Sequence, residues 1–356
     1  MSNRLDVFRQ KLKKREIDAA IITDEINIGY LCGYRYTDGF LLIDEDKAYL
    51  VTDGRYHEEA ACLSDPHFTV TVPDNRMDFI KRFLKDGANR RLGYESHAMT
   101  VSTFHRYQAE LLAELAPMGD ILLDMRAVKT AEELRSIKEA QRITDAAFSH
   151  ILNTITPSIT EREIALELSY FMQKQGAEGT SFDIIAVSGS ASALPHGKCR
   201  NQTLSKGFLT MDFGCVYEGY CSDMTRTICI GRADADMRRL YETVLRAQEE
   251  AISAIKAGET GAFIDGIARQ YITASGYGES FTHSLGHGVG LYIHENPRLS
   301  PKCNETPLVA GNVVTVEPGI YLMGKYGCRI EDMGAVTEDG FDNFTTSTKE
   351  LIELFA

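Results

Sequence analysis

The strongest constraint on this chain comes from the segment Met211–Thr227, which reads MDFGCVYEGYCSDMTRT. It has the pattern of a β-hairpin, with Glu218–Gly219 at the turn and apolar or β-branched residues along both arms. Asp212 and Asp223 lie near the middle of the two arms, and we expect them on neighbouring strands, roughly opposite each other. Aspartate is unfavourable in strands, and two buried carboxylates that face each other need a cation. The hairpin therefore predicts a cation site, with a pair of exposed edge carboxylates as the alternative.

Two further acids occur in strand-like segments. Glu317 lies in VVTVEPGIY, and Glu331 lies in CRIEDMGAV. Each alone is typical of a surface residue at the end of a strand. Together with Asp212, Asp223 and a histidine they form an oxygen-rich set whose four negative charges exceed what one divalent ion neutralises. The set suits two ions roughly 3.5–4 Å apart, as in hydrolases that use two metals.

Histidines are concentrated in the segment HSLGHGVGLYIHE, which runs from His283 to Glu295. After His150 the chain has four histidines: His196 in LPHGK and three in this segment. Neutral imidazole is both the commonest metal ligand and the usual proton carrier near pH 7. The sequence HENPR has no second histidine at the HExxH spacing, which excludes that zinc motif. Three glycines flank the central histidine and fit a tight backbone beside a substrate: Gly286, Gly288 and Gly290.

The charge of the chain bears on its partners. Formal net charge is −13 and the isoelectric point is near 5.2, which argues against nucleic acid or an anionic membrane as a partner. The N-terminal segment lacks the apolar core of a signal peptide, and no stretch has the length of a membrane-spanning helix. The eight cysteines contain no CxxC pair and are expected to be free thiols. We therefore expect a cytoplasmic protein.

The patterns divide the chain into two domains. Residues 1–126 alternate helical and strand patterns, which predicts an α/β domain. Its expected strands are the buried segment Asp18–Thr23, the hairpin Gly39–Asp53 and the segments Phe68–Val72, Arg91–Glu95 and Asp120–Met125. This domain contains no cluster of histidine and acidic residues, so we assign it no chemistry of its own.

Residues 130–356 predict a larger α+β domain, in which helices are interleaved with antiparallel-looking strands. Side chains that can cap a helix mark most of its helix starts. They are the capping boxes Thr130/Glu133 and Thr160/Glu163 and the cap Asp234, and a fourth helix is expected from about Phe263.

The ordered motifs MDFG…SDMTRT, HSLGHGVG…HE, EPGIY and RIED resemble those of the pita-bread metallopeptidases. These include methionine aminopeptidase, prolidase and Xaa-Pro aminopeptidase. Residues 1–126 resemble the N-terminal domain shared by prolidases, Xaa-Pro aminopeptidases and creatinase, so the resemblance covers essentially the whole chain. It implies a pita-bread catalytic domain over residues 130–356, preceded by a smaller creatinase-type α/β domain. It also implies a homodimer, in which the N-terminal domain overhangs the neighbour's site.

The resemblance implies two divalent ions per chain, with Asp223 and Glu331 touching both. It favours manganese, with cobalt or zinc as alternatives. The implied metal ligands are Asp212, Asp223, His287, Glu317 and Glu331. Arg329, two residues before Glu331, matches an arginine that offsets the surplus carboxylate charge and orients its neighbours.

The remaining histidines match substrate-facing positions. His294 and His196 are expected to stabilise the oxyanion, and His283 to contact the residue after the cleaved bond. Arg298, in HENPR, matches a position that holds a dipeptide's free carboxylate in some prolidases, and a surface loop arginine is its alternative. Glu317 is expected to move a proton from a metal-bridging water to the leaving nitrogen.

These residues predict an enzyme that acts on small peptides with proline at the second position. We expect an Xaa-Pro aminopeptidase that tolerates longer peptides, with an Xaa-Pro dipeptidase as the alternative. The contrasting class is a metal-free creatinase-like hydrolase or a binding relative. Such proteins lose the acidic ligands, whereas this chain retains all five candidate ligands.

Overall fold

The computed structural model describes residues 4–35, 38–84 and 90–356. The chain separates into two compact units, Met1–Met125 and Arg126–Ala356. In the described part of the chain, the helices are too short or too polar to cross a membrane.

The first unit alternates helices with short strands. Its helices are α1 (Arg4–Lys14), α2 (Glu25–Cys32), α3 (His57–Leu63), α4 (Arg76–Leu84), α5 (Val101–Glu110) and α6 (Ile121–Ala127), the last of which extends past the boundary. Its strands are β1 (Ala19–Ile22), β2 (Phe40–Asp44), β3 (Ala48–Val51), β4 (Thr69–Thr71), β5 (Arg91–Tyr94) and β6 (Glu114–Pro117).

These strands form one sheet in the order β4-β3-β2-β1-β5-β6. The expected hairpin within Gly39–Asp53 is present as the antiparallel pair β2–β3. The prediction of a strand at Asp120–Met125 is wrong, because that segment lies in and just before α6. A short continuous apolar run suits a buried helix as well as a strand, and the edge of the sheet is occupied by β6 instead.

The second unit contains two pairs of helices. They are α7 (Ala131–Thr154), α8 (Glu161–Lys174), α9 (Ala235–Ala254) and α10 (Gly261–Ala274), with short 3-10 helices at Gly189–Ala193 and Gly278–Ser280. Both expected capping boxes are formed, at Thr130/Glu133 and Thr160/Glu163. Asp234 caps α9 by accepting a hydrogen bond from Met237 N, as its position predicts.

The strands of the second unit form several small sheets. They are β7 (Gly179–Thr180), β8 (Ile185–Ser188), β9 (Gly207–Phe213), β10 (Cys215–Tyr217), β11 (Tyr220–Cys221), β12 (Met224–Ile230), β13 (Gly286–Gly288), β14 (Glu295–Leu299), β15 (Val313–Val316), β16 (Gly319–Leu322), β17 (Tyr326–Arg329), β18 (Asp332–Val336), β19 (Phe341–Asn343) and β20 (Glu353–Leu354). The sheet orders are β11-β10-β7, β20-β12-β9-β8, β14-β13-β15-β18-β19 and β16-β17.

The predicted hairpin is present, but its register differs from the expectation. Tyr217 pairs with Tyr220 across the turn, and Asp212 pairs with Thr225 rather than with Asp223. Asp223 lies two residues before Thr225, just ahead of β12. Because side chains two residues apart in an extended strand point to the same face, both aspartates can still reach one site.

Burial shows which face of the β9–β12 pair carries that site. Leu209, Met211 and Phe213 of β9 are buried against α7 and α8 in one apolar cluster. The intervening residues of β9 therefore point to the opposite face. Asp212 is one of them, and the strand alternation places it on the side away from the helices.

Candidate metal centre

Three potential ligands meet at one point in the second unit. Asp223, His287 and Glu331 each contribute one oxygen or ring nitrogen, and these atoms all lie within 4.8 Å of one another. All three residues are buried. Two carboxylates and an imidazole at this spacing are able to hold a divalent metal ion.

These three residues are positioned by strands or by the ends of strands. Asp223 immediately precedes β12, His287 is the middle residue of β13, and Glu331 lies between β17 and β18. Strand β15 pairs with both β13 and β18, which brings His287 and Glu331 together. The backbone N–H of Glu331 donates to the Thr225 carbonyl oxygen at 3.1 Å. That hydrogen bond ties the loop of Glu331 to β12, next to Asp223.

Glu317 and Asp212 extend the cluster. Glu317 follows β15, and its Oε1 lies 3.4 Å from His287 Nε2. Asp212 Oδ2 accepts a hydrogen bond from Arg329 Nη2 at 2.6 Å. The other oxygen of Asp212, Oδ1, is buried and has no hydrogen-bond partner among the described residues. Burial of an unpartnered carboxylate oxygen is costly, so this atom fits a ligand for a cation.

The protonation of the acids shows how much this cluster needs positive charge. Burial, reinforced by neighbouring Asp212 and Glu317, raises the pKa of Asp223 well above its usual range. Burial and the nearby Asp223 do the same to the pKa of Glu331. Burial raises the pKa of Glu317 to about 8, although Arg329 acts to lower it. Buried carboxylates that repel one another are stable as anions only beside a cation, so the donor set fits divalent metal.

His287 is arranged as a neutral ligand. Burial, together with the neighbouring His294, lowers the pKa of His287 to about 3. Its Nδ1 lies 3.1 Å from the Gly288 carbonyl oxygen, an arrangement in which Nδ1–H donates and fixes the tautomer. The lone pair of Nε2 then faces Asp223 Oδ2 at 3.6 Å and Glu317 Oε1 at 3.4 Å. A backbone carbonyl that orients a ligating imidazole in this way is common at metal sites.

Two threonines that the sequence analysis missed support the acids. Thr225 Oγ1 donates to Glu331 Oε2 at 2.7 Å and accepts from Arg329 Nε at 3.0 Å. Thr315 Oγ1 donates to Glu317 Oε1 at 3.3 Å. Each threonine lies two residues from an acid of the cluster, Thr225 after Asp223 and Thr315 before Glu317. The period of a strand could have identified both, because it places such pairs on one face.

A tyrosine that the sequence analysis also missed connects two predicted site residues. Tyr321 OH accepts a hydrogen bond from Arg329 Nη1 at 2.7 Å and lies 3.0 Å from His283 Nε2. The Nδ1 of His283 lies 2.8 Å from the Ser284 carbonyl oxygen. Burial and the nearby Arg329 lower the pKa of His283 to about 4, so the ring is neutral. Its tautomer therefore has Nδ1 as the donor and Nε2 as the acceptor.

The acids open into a cavity of about 890 Å³. Its wall includes His196, His283, His294 and Arg298. Its apolar side chains include Phe182, Ile184, Ile185 and Ile293. This volume lies in the range of pockets that enclose small ligands, roughly 300–1,000 Å³. All the predicted site residues therefore border one cavity.

The predicted non-ligand residues differ in exposure. The ring of His294 lies 4.4 Å from that of His287, and His294 is exposed. His196 and Arg298 are also exposed, and both border the cavity. Arg298 pairs with His287 in the β13–β14 ladder. Exposed polar groups next to buried acids are placed to contact a ligand in the cavity.

The glycines around His287 allow the tight backbone that the sequence predicts, and Gly286 also borders the cavity. A Cβ on Gly286 would lie 2.0 Å from the Thr315 carbonyl oxygen. A Cβ on Gly288 would lie 2.4 Å from the Asn296 carbonyl oxygen, and one on Gly290 would lie 2.4 Å from Glu295 Oε2. Neighbouring strands and a buried carboxylate therefore occupy the space that a side chain would need.

Known proteins resemble this chain over its whole length. The sequence model of metallopeptidase family M24 matches residues 135–338, and that of the creatinase/prolidase N-terminal domain matches residues 4–128. An Xaa-Pro dipeptidase from Pyrococcus furiosus is 37% identical over 355 residues, which cover 99% of this chain and 100% of that protein.

Solved structures show the same likeness. An Xaa-Pro dipeptidase from Bacillus anthracis superposes with a TM-score of 0.95 and 41% identity over 99% of each chain. An X-Pro aminopeptidase from Thermotoga maritima superposes with a TM-score of 0.90 and 36% identity, over 97% of this chain and 100% of that one.

Proposed function

This chain belongs to metallopeptidase family M24 and has its two-domain pita-bread fold, and on that premise we propose that it is an Xaa-Pro dipeptidase. The observation that carries the proposal is the convergence of five candidate ligands on one cavity. Asp223, His287 and Glu331 form the three-residue cluster, and Asp212 and Glu317 lie beside it. In this proposal residues 130–356 perform the chemistry, and residues 1–126 form a separate N-terminal domain.

The choice of a dipeptidase reverses the preference drawn from the sequence, which was for an aminopeptidase. Relatives named Xaa-Pro dipeptidase align over the full chain at 36–37% identity, and one solved structure of that name reaches 41%. Arg298 supplies the chemistry such an enzyme needs. A guanidinium binds a free carboxylate through two parallel charge-assisted hydrogen bonds, and Arg298 is exposed on the cavity wall.

We propose two divalent ions per chain, held by the five candidate ligands, with manganese as the metal. Manganese suits a set dominated by carboxylate oxygens, and cobalt or zinc are the alternatives. Such ions, when bound, supply Lewis-acid polarisation of the scissile carbonyl and lower the pKa of water. We also propose that the protein is a homodimer, which sedimentation equilibrium would test.

Residues around the cavity would divide the work of hydrolysis. Glu317 accepts the proton of the attacking water and delivers it to the proline nitrogen as the bond breaks. Bound metal would hold Glu317 in its ionised form, because metal ligands must be deprotonated, and a general base requires that form. His294 and His196 donate hydrogen bonds to the developing oxyanion, and Arg298 holds the carboxylate of the dipeptide.

Arg329 keeps this arrangement in place. It pairs with Asp212 and donates to Thr225, which in turn donates to Glu331. It thereby orients two of the proposed ligands, Asp212 and Glu331. His283, held against Tyr321, packs beside the residue that follows the cleaved bond.

The test is a comparison of Xaa-Pro dipeptides with Xaa-Pro-Yaa tripeptides, using protein stripped of metal and then reloaded with manganese, cobalt or zinc. We expect metal-dependent release of proline from dipeptides and at least 10-fold lower kcat/KM on tripeptides. Equal cleavage of both would establish an aminopeptidase instead, the function that the likeness to the Thermotoga maritima enzyme and the roomy cavity favour. Absence of Xaa-Pro cleavage with every metal would overturn both.

A further inference from the structure

An ion pair outside the cavity, with one buried and one partly exposed member, hydrogen-bonds to the segment that carries His283. Asp265 and Arg269 lie one turn apart on α10, and the Asp265 side chain is fully buried. Arg269 Nε donates to Asp265 Oδ2 at 2.7 Å, and Arg269 Nη2 donates to Oδ1 at 2.9 Å. This two-pronged geometry holds the guanidinium in one orientation.

The two side chains also form hydrogen bonds with the backbone of three alternate residues in the segment before β13. Arg269 Nη2 donates to the carbonyl oxygen of His283 at 2.8 Å, and Nη1 donates to that of Phe281 at 3.1 Å. Asp265 Oδ1 accepts from Leu285 N at 3.0 Å. The residues Phe281–Leu285 belong to neither helix nor strand, and these side-chain bonds add support to their backbone beside the bond from Glu317 N to the Leu285 carbonyl oxygen.

Contacts between rings also restrict the orientation of the His283 side chain. The Arg269 guanidinium lies 4.2 Å from the centre of the Phe281 ring. The Phe281 ring in turn meets the His283 ring edge to face, with centroids 5.2 Å apart and an interplanar angle of 88°. The other side of the His283 ring is held by Tyr321 OH. Backbone and ring are thus both fixed by groups that do not line the cavity.

We propose that Asp265 and Arg269 are positioning residues that set the place and orientation of His283 in the active site. The proposal rests on the proposed function, because it takes His283 to contact the substrate. It goes beyond that function by assigning the placement of this ring to an ion pair on α10. A purely structural pair would instead support the fold without affecting His283 in particular.

A double-mutant cycle separates these two roles. Arg269→Lys keeps the positive charge beside Asp265 but cannot bridge the carboxylate and two carbonyls, because an ammonium lacks the planar fork. We expect Arg269→Lys to lower kcat/KM on an Xaa-Pro dipeptide by about 10-fold, and by less than about 2-fold in a His283→Ala background. Metal content should not change. Equal losses in both backgrounds would overturn the proposal.

This experiment includes a control variant and a replacement variant. Arg238→Lys is the matched control, because Arg238 pairs with Glu353 at 2.6 Å between α9 and β20, and it should leave kcat/KM unchanged. If Arg269→Lys does not fold, Asp265→Asn replaces it, since the amide oxygen can still accept from Leu285 N while the ion pair is lost. The same double-mutant cycle, with Asp265→Asn and His283→Ala, then distinguishes a positioning role from a purely structural one.

A readout independent of activity distinguishes failure of this proposal from failure of the proposed function. The chain has nine histidines, so selective ¹⁵N labelling of histidine gives a tractable NMR spectrum, with His283 assigned by the loss of its signals in His283→Ala. In the unmodified protein we expect a protonated Nδ1 and an unprotonated Nε2. Arg269→Lys should move both shifts toward the average of the two tautomers. Unchanged shifts would refute the positioning role even if no peptide is cleaved.

Discussion

Arg329 Nη2 lies 2.6 Å from Asp212 Oδ2, while the other oxygen of this carboxylate is buried without a partner among the described residues. The protein therefore pairs one oxygen of Asp212 with its own guanidinium and leaves the other buried without a hydrogen bond. Three neighbouring acids have raised pKa values, so one arginine does not balance the site.

Replacement of Asp223 by asparagine should lower metal content and turnover together. Asp223 belongs to the buried three-residue cluster, and asparagine removes the charge that a divalent ion requires. Elemental analysis of dialysed protein and kcat on an Xaa-Pro dipeptide measure the two effects. Asp342→Asn, at an exposed pair with Lys138, is the control. Full metal loading with near-normal turnover in Asp223→Asn would remove this residue from the ligand set.

His294→Ala should retain the metal but lose on the order of 10²-fold or more in turnover, the contribution of one acid–base or oxyanion group. The ring of His294 lies 4.4 Å from that of His287, yet His294 is exposed and outside the three-residue cluster. His150→Ala, whose ring stacks on Phe171, provides a control on α7. Loss of metal along with activity would identify His294 as a ligand.

Arg298→Ala tests substrate length. If Arg298 binds the carboxylate of a dipeptide, kcat/KM on Xaa-Pro should fall by 10-fold or more, about 1.4 kcal/mol of transition-state stabilisation. Residual cleavage of Xaa-Pro-Yaa should change little. Arg238→Ala serves as the control for loss of an arginine. Similar, modest losses on both substrates would favour the aminopeptidase and would argue against a specific contact between Arg298 and the dipeptide carboxylate.

The stability of metal-free protein should fall as pH rises from about 6.5 to 8. Burial raises the pKa of Glu317 to about 8, and it also raises those of Asp223 and Glu331. In this window the folded protein holds protons that the unfolded chain has released, so rising pH favours unfolding. The lowered pKa of His287 acts below about 6.5, its ordinary value, and does not oppose this trend.

Thermal unfolding with a chelator, and with manganese, measures this effect. The manganese-loaded protein should lack the fall, because bound ions require ionised ligands. Metal-free Glu317→Gln should show a smaller fall, since one of the protonated acids has been replaced. A melting temperature of the metal-free protein that rises across the window would refute the assigned protonation.

Glu295→Gln should lower the free energy of unfolding by about 3–5 kcal/mol, the range for breaking a buried ion pair. Glu295 Oε1 accepts from Arg126 Nη2 at 2.6 Å, and Oε2 lies 3.3 Å from Lys129 Nζ, with all three side chains at most 2% exposed. Loss of the carboxylate leaves two buried cations without their shared anion. Urea denaturation measures the change, with Glu139→Gln at the more exposed pair with Arg142 as control. A change below about 1 kcal/mol, the usual scale of a surface pair, would contradict the prediction.

Local features of the second unit were predictable from sequence because their causes are local. Thr130 and Glu133 interact within one helical turn, so a four-residue pattern was enough to predict where α7 begins. The turn at Glu218–Gly219 likewise followed from neighbouring residues and determined which residues pair across the hairpin. Where a local pattern is ambiguous, as in the apolar run Asp120–Met125, the prediction was wrong, because tertiary packing selects between helix and strand.

The chemical types of the site residues were also set by the sequence, since acids in apolar strands and clustered histidines indicate metal without any knowledge of distance. Only the tertiary structure decided which of these groups meet. Asp223, His287 and Glu331 are distant in the chain and come together through the pairing of β15 with β13 and β18 and the bond from Glu331 N to Thr225. The same holds for Tyr321 and for the grip of Asp265 and Arg269 on His283. Such contacts depend on long-range strand pairing and helix packing, and these are properties of the whole fold rather than of any short stretch of sequence.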